Sequence, residues 1–552
     1  MKKYLLYFIL VLFLFTSFAS NLNLTACTII AVGKKASDDG SVMVSHTDCG
    51  PDSRIYVVKG KKFRKGSKAP VYWGIQDLNV SLKDDGEILG YIPQVAETYT
   101  YFHSAYSHCN EHQLAIAEST IGQKAELVAM ITKKNKPKQI MTIEQAQIFA
   151  LQRCKKAEDA VKLIGNLMTE YGFLSSSGDG SETLAIADTE EIWIMEIFGV
   201  GKNWTKESKK PGAIWAAQRL PQDRASMVPN WSTIKEIDIK DTKNYMASKN
   251  YMQEAIDRGW YNPSGKKPFI WQDVYSPTPV EYATSRFWLF YSTFAPNLKQ
   301  WPDRSMKLGS HKGINQYFQY VEPVSIYPFS IIPEKKISVK DIIAFQRSTF
   351  EGTIYDLTMG PQWLVSDEKG GFKKSPLATP FPGRDMKKLL KLTNRRPVAR
   401  HRGHYGMVAQ LRSWLPNEIG GRYWVYLDNP YVSPYIPIYF GNLSIDKSYN
   451  LYNPKKYQKE SARWAIDFVE NLAKLKFQEA IKDIWAVRKP FEDKIFNDLK
   501  GLEKEAMKRY KKSSKSARKY LTKYSNNLMK DVVKMFYDLR NEIIVKYTNN
   551  NE

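Results

Sequence analysis

The chain has 552 residues, 43% hydrophobic and 13% aromatic, enough for a large packed core arranged as one large domain with an appendage or as two to three domains. Lysine and arginine number 81 against 57 acidic residues, a net charge of +24, and there are four cysteines, too few for a fold stapled by disulfides. Beyond the first 26 residues no apolar run is long enough to span a membrane.

Residues 1–26 have a basic start (Lys2, Lys3), a long apolar run over 4–15 and small residues near the end, the grammar of a secretory signal. Export argues against nucleic acid as the partner of the basic charge; an anionic membrane or envelope surface, or a merely solvated lysine-rich exterior, fits better. Cys27 then opens a strand-like run to Val32. Turn residues fill 33–40 and end in Asp39-Gly40, and 41–46 reads as a second strand, which makes a hairpin. Residues 71–114 mix strand-like runs with a small histidine-rich patch. The spacing of Ile143, Ala146, Phe149, Ala150, Val161 and Ile164 predicts one helix over 142–167. A loop over 175–181 precedes a hairpin made of 184–187 and 192–197. Residues 213–217 are strand-like, 251–258 have helix potential, and Ser338 caps a helix over 339–347. Late strands are expected at 404–414 and 422–427, with 432–440, rich in Pro and Tyr, irregular. Composition changes after Asn442. Residues 457–546 hold almost no proline and read as helices, with lysine and arginine dense over 508–523. The expected division is therefore a leader (1–26), a main domain (27–442) and a basic, mainly helical extension (443–552) able to touch a membrane or envelope peripherally.

Cys27 carries the most information. If processing ends at Ala26, a thiol and a free α-amine share one residue. The amine, with an ordinary pKa of about 7.7–8.0, can act as the base that activates the thiol. Ser17 and Ala19 also suit a cut before Ser20, leaving a short propeptide (20–26) for a second cut, by the protein itself. A rival reading is a lipoprotein signal, Leu24-Thr25-Ala26-Cys27, which would block both the amine and the sulfur. Lipoproteins usually continue into a polar tether; here Cys27 runs straight into β-branched apolar residues, which favours a catalytic first residue.

The run from Cys27 through Thr-Ile-Ile-Ala-Val-Gly-Lys-Lys-Ala-Ser-Asp-Asp-Gly to Ser41 resembles the opening of the dipeptidase family of N-terminal-nucleophile cysteine hydrolases, whose relatives include secernins, penicillin V acylases and bile-salt hydrolases. Asn110-Glu111 with LAIAEST (114–120), LAIADTEEIWIME (184–196), the run from Tyr282 to Trp288 and the run from Glu351 to Asp356 follow in the family's order. The resemblance covers roughly 27–442. It implies an α+β fold, a four-layer αββα sandwich, and an exported cysteine dipeptidase that works through a thioester and needs no metal or organic cofactor. Its substrate would be a dipeptide or small amide, and assembly of several copies is compatible with it. Two alternatives stay open: a related amidase for N-acyl amino acids or penicillin V-like amides, and a non-catalytic envelope protein lipid-anchored at Cys27.

The resemblance also implies site residues. Cys27 supplies the nucleophile and base. Asp48 matches the carboxylate that orients the amine, Asn230 an oxyanion donor, and Arg286 a supporting arginine. Thr120 would contribute its backbone N–H and line the site. Bile-salt hydrolase relatives place an arginine three residues before the carboxylate; Ser45 stands there, and Arg54 is the nearest substitute. A dipeptidase must meet a free amine, for which Glu118, Asp179 and Glu196 are candidates, and a free carboxylate, for which Arg54 or a lysine is. His103, His108, Cys109 and His112 do not match a common structural zinc spacing and read as a polar loop or pocket rim, as do His401 and His404. No P-loop, Gly-x-Ser-x-Gly elbow or nucleotide fingerprint is present.

Overall fold

A computed structural model describes residues 27–48 and 52–548 apart from 74–85, 107, 278–280, 297–326, 354, 393–394 and 402. The expected leader, 1–26, lies outside the described residues, as does Cys49.

Two antiparallel sheets form the centre. The first has six strands in the order β12 (Ala225–Val228), β1 (Ile29–Val32), β2 (Val42–Asp48), β16 (Tyr405–Leu411), β17 (Arg422–Leu427) and β18 (Ile436–Tyr439). The second has eight: β13 (Tyr245–Ala247), β11 (Ile214–Leu220), β10 (Ile192–Phe198), β9 (Ser181–Ala187), β8 (Ala115–Ile121), β7 (Cys109–Asn110), β6 (Tyr101–His103) and β3 (Tyr56–Val58). Two separate hairpins, β4 (Lys68–Trp73) with β5 (Glu87–Pro93) and β14 (Leu364–Ser366) with β15 (Phe372–Lys374), complete the strands. β1 is all β-branched or small apolar residues and all buried, as a strand hemmed in by β12 and β2 must be. The turn between β1 and β2 uses Gly40 at φ +81°, and the Asp39 carboxylate accepts from the Ser41 N–H at 2.9 Å.

The sheets meet where β1 and β2 face β8 and β9. Helices α1 (Ile143–Arg153) and α2 (Ala157–Tyr171) pack on the larger sheet. On the smaller lie α4 (Val339–Gln346), α5 (Ala462–Ala473) and α7 (Ser514–Tyr547), the last alongside α6 (Phe477–Lys512). Helix α3 (Glu281–Phe294) enters the site described below.

Two expectations change. The single helix over 142–167 is two, because Cys154 and Lys156 are extended and Asp188 Oδ2 accepts the Ala157 N–H at 2.9 Å, capping the second helix from a distant loop. The irregular stretch 432–440 contains β18, which tolerates Pro437 because it is an edge strand. The helical extension beyond Asn442 packs on the core: Ile484, Val532 and Phe536 belong to the same buried cluster as Val425 and Ile436. Glu503 of α6 accepts from Arg412, Arg422 and Tyr439 at 2.8–2.9 Å, and Ser525 of α7 donates to the Pro437 carbonyl at 3.0 Å. The Ser338 cap is present, with Asp341 closing a capping box.

Candidate functional site

Cys27 sits at the mouth of β1, 2% exposed. Ile30 pairs with Ser45, so the hairpin register carried three residues further sets Asp48 level with Cys27, and β16 flanks Asp48 through Tyr405. The register thus sets the backbone of Asp48 at the end of β2, beside the residue that precedes Thr28.

Arg286 is the hub. It is fully buried on α3 and its guanidinium serves five oxygens: Nε donates to the Tyr282 carbonyl (2.7 Å), Nη1 to the Cys27 carbonyl (2.8 Å) and Thr28 Oγ1 (2.7 Å), Nη2 to the Pro229 carbonyl (2.7 Å) and Asn230 Oδ1 (3.0 Å). Burial, and then the neighbouring charge of Arg396, push its pKa well down, while the Cys27 sulfur pulls it up. A planar fork with donors on both edges can make this set of bonds; a lysine cannot. Arg286 therefore locks Cys27 and Thr28, just ahead of β1, to the loop after β12.

That loop carries Asn230 in the left-handed region at φ +60°, a conformation asparagine tolerates better than most residues. Asn230 Nδ2 donates to the Thr120 carbonyl at 2.8 Å, its N–H reaches Ser119 Oγ at 3.3 Å, and Oδ1 accepts from Arg286 and, at 3.4 Å, from Arg396. An amide nitrogen carries two hydrogens, and the Thr120 bond uses one. The loop is fixed from behind by Glu196. Its carboxylate accepts from Ser232 Oγ, the Thr233 N–H and Oγ1, the Ile234 N–H and Trp271 Nε1, at 2.5–3.2 Å. Burial raises the Glu196 pKa while these donors lower it. Glu196 is consequently spent on the loop and not available to a substrate amine, contrary to expectation.

Thr120 lies on β8 opposite Glu182. The N–H and C=O of one residue in an extended strand point to the same edge. Since the Thr120 carbonyl meets Asn230, its N–H also faces away from β9, toward the loop and Cys27. Two residues earlier, His46 Nδ1 lies 2.7 Å from the Glu118 carbonyl oxygen and 3.1 Å from the Glu118 amide nitrogen, tying β2 to the same edge. Burial lowers the His46 pKa to about 4, so the ring is neutral.

Glu118 is fully buried, touches the Cys27 side chain and accepts from Thr120 Oγ1 at 3.2 Å. Burial pushes its pKa up to about 7, against hydrogen bonding from Glu182, Cys27 and Thr120. Glu182 is also fully buried, and its pKa is raised well above the ordinary value by burial first and by the Glu118 charge second. Glu144, on α1, accepts from Ser176 at 2.7 Å and is likewise raised by burial.

The remaining candidates lie elsewhere. Arg54 clasps the buried Asp52 with Nε and Nη2 at 2.6–3.1 Å, a pair that matches its charge locally. Asp179 is exposed in the loop before β9. His103, His108 and Cys109 are buried on or beside β6 and β7 among Tyr101, Tyr405 and Tyr423, in core and not on a rim; only His112 of that patch is partly exposed, edge-on to Tyr99. His404 is partly buried beside Tyr452, and His401 lies against Phe381. Among the described residues, these histidines and Cys109 do not bring three ligand atoms together. Arg396, Glu182 and the strand β12 were not anticipated. The only sequence signal for Glu182 is a carboxylate set directly between a Gly-Ser turn and an apolar strand; Arg396 sits in Arg395-Arg396-Pro397, which looks like any basic loop.

The profile of Peptidase family C69 matches residues 26–489. Curated relatives include the "Probable dipeptidase" of Latilactobacillus sakei, 24% identical over 458 residues and covering 80% of each chain. "Probable dipeptidase B" of Streptococcus pyogenes serotype M1 is 24% identical over 516 residues, 92% of this chain and 88% of its own. "Dipeptidase A" of Lactobacillus helveticus is 24% identical over 433 residues, 75% of each. Among solved structures, a mutant of the conjugated bile acid hydrolase from Clostridium perfringens covers 78% of this chain and 96% of its own at 9% identity, with a TM-score of 0.25.

Proposed function

We infer, because this chain belongs to Peptidase family C69, that it is a cysteine-type dipeptidase whose nucleophile is Cys27, exposed at a new N-terminus once the leader is removed. The observation that carries the reading is the clamp: Arg286 holds the Cys27 carbonyl and Asn230 together, so the sulfur's residue and an amide donor are fixed to one guanidinium.

In the proposed reaction the α-amine of Cys27, oriented by Asp48, takes the thiol proton, and Sγ attacks the scissile carbonyl. The negative charge that develops on the carbonyl oxygen is met by the Thr120 N–H and the second hydrogen of Asn230 Nδ2. The amine then passes its proton to the leaving amino group, the C–N bond breaks, and the first product leaves with an acyl group on sulfur. Water, deprotonated by the same amine, releases the acid. Positive charge for the thiolate comes from Arg286 and Arg396, which replaces the role expected of Arg54. The chain folds in this proposal as an N-terminal-nucleophile sandwich, helices outside and two sheets inside, and is exported.

The lipid-anchored alternative fits less well, since Cys27 leads without a tether into a fully buried strand. N-terminal sequencing of the processed protein, with dipeptide hydrolysis assayed for wild type and Cys27→Ala, tests the reading. An unmodified Cys27 terminus with activity lost in the variant is expected; an acylated terminus, or full activity in Cys27→Ala, overturns it.

A further inference from the structure

We propose that Glu118 and Glu182 form the subsite for the substrate's free α-ammonium group, and that Glu182 sets the requirement for an unblocked N-terminus. This rests on the dipeptidase reading and narrows it to one substrate class.

A dipeptide holds its reacting and charged groups close together. Its free amine is two bonds from the scissile carbon, about 2.5 Å away. Whatever binds that amine must therefore adjoin the nucleophile. Glu118 does so, touching the Cys27 side chain. Glu182 lies opposite Thr120 in the β8–β9 register, and Glu118 is two residues from Thr120, so the three side chains share one face of the sheet.

Glu182 is the independent pointer to a ligand. It is fully buried, and neither of its carboxyl oxygens has a donor at hydrogen-bonding geometry; Glu118 Oε2 also lacks one. Its neighbours are a second acid, Glu118, and the hydroxyl of Ser177, which pairs with Tyr106 at 2.9 Å and is the one nearby group whose proton favours the Glu182 carboxylate. Contrast Glu196, equally buried in the same sheet, whose carboxylate is filled by the side chains and backbone around it. Two carboxyls side by side without a cation are costly to bury unless they share a proton. Such a pair carries one negative charge. An α-ammonium brings one positive charge and three N–H donors, which is what Glu182, Glu118 Oε2 and Thr120 Oγ1 can accept. An N-acylated substrate brings no charge, one N–H and extra bulk, so it leaves the pair uncompensated. The site thereby discriminates against the N-acyl amidase alternative.

The test compares kcat/KM of the processed protein on alanyl-alanine, N-acetyl-alanyl-alanine and the des-amino analogue propionyl-alanine. Wild type is expected to prefer the free dipeptide by at least about 100-fold, the scale of losing a charged hydrogen-bonded contact. Glu182→Gln is expected to lose roughly 10- to 100-fold on alanyl-alanine, mainly in KM, and less than about threefold on propionyl-alanine. Equal losses on both substrates would mean that the pair serves the Cys27 terminus instead, and would overturn the proposal. So would a wild type that cleaves the acetylated dipeptide as well as the free one, a comparison that needs no variant to fold. A wild type that cleaves none of the three sinks the dipeptidase reading itself, a result distinct from a hydrolase without amine preference.

Discussion

Replacing Arg286 by lysine separates charge from geometry. The variant keeps one positive charge but has three N–H donors at a single atom, whereas Arg286 serves five acceptors spread over both edges of its guanidinium. At least two buried oxygens must lose their donor, at about 1–3 kcal/mol each, so the expected destabilisation is roughly 2–6 kcal/mol. An unfolding entropy near 2 cal/mol/K per residue gives about 1 kcal/mol/K for a chain of 552 residues, so Tm should fall by roughly 2–6 °C. Scanning calorimetry on wild type and Arg286→Lys at one scan rate reads this. Activity should fall further than stability suggests, in kcat more than in KM, because the Cys27 carbonyl and Asn230 are no longer held to one group. A variant with Tm within about 1 °C of wild type and an unchanged kcat would refute the idea that this fork holds the site together.

Other expectations follow from the same geometry. Asn230→Ala should lower kcat by roughly 10²–10³, the cost of one oxyanion donor; an unchanged rate on dipeptides removes Asn230 from the reaction. Cys27→Ala should fold with the wild-type circular dichroism spectrum and lack all hydrolysis, measured by release of free amino acid. A chain ending at Asn442 should be insoluble and inactive, because it strips the helices that complete the core behind β17 and β18; soluble, active truncated protein would make the tail dispensable. Arg412 and Arg422 hold the Glu503 carboxyl below its ordinary value of 4.5 although burial acts the other way. A depressed carboxylate stabilises the fold at pH above the unfolded value and loses that contribution as pH falls through the folded one. Acid unfolding should therefore begin below about pH 4.5, and Glu503→Gln should flatten that limb of the stability–pH curve.

Much of the architecture could be read from residue patterns, and where it could not the cause is physical. The first hairpin is written locally, in β-branched residues and Asp39-Gly40, and Cys27 with it. Asn230 and Arg286 came through resemblance alone; neither has a local signature, because what makes them a site is one guanidinium reaching residues more than 50 positions away. The break between α1 and α2 was illegible because its cap, Asp188, comes from another part of the chain. Arg54 is near Cys27 in sequence, yet its visible partner is Asp52, closer still, and that pairing has no signature in the residue pattern. Glu196 misled in another way. A buried carboxylate in a strand looks like a binding group until its donors in residues 232–234 and Trp271 are seen. The C-terminal helices read as a basic extension because lysine and arginine set their net charge, while the apolar residues that dock them, such as Leu521, Leu528, Val532, Phe536 and Leu539, are spread at helical spacing between the charges.

The clamp on the first strand has a consequence for the order of biosynthesis. A ribosome that has finished residue 220 has already made the sulfur, yet none of Asn230, Arg286 or Arg396, and not the strand that carries Asn230 toward it. A growing chain thus emerges with Cys27 unclamped: the residues that fix its surroundings arrive some 200 to 370 positions behind, so this corner of the fold closes only after well over half of the chain has been made.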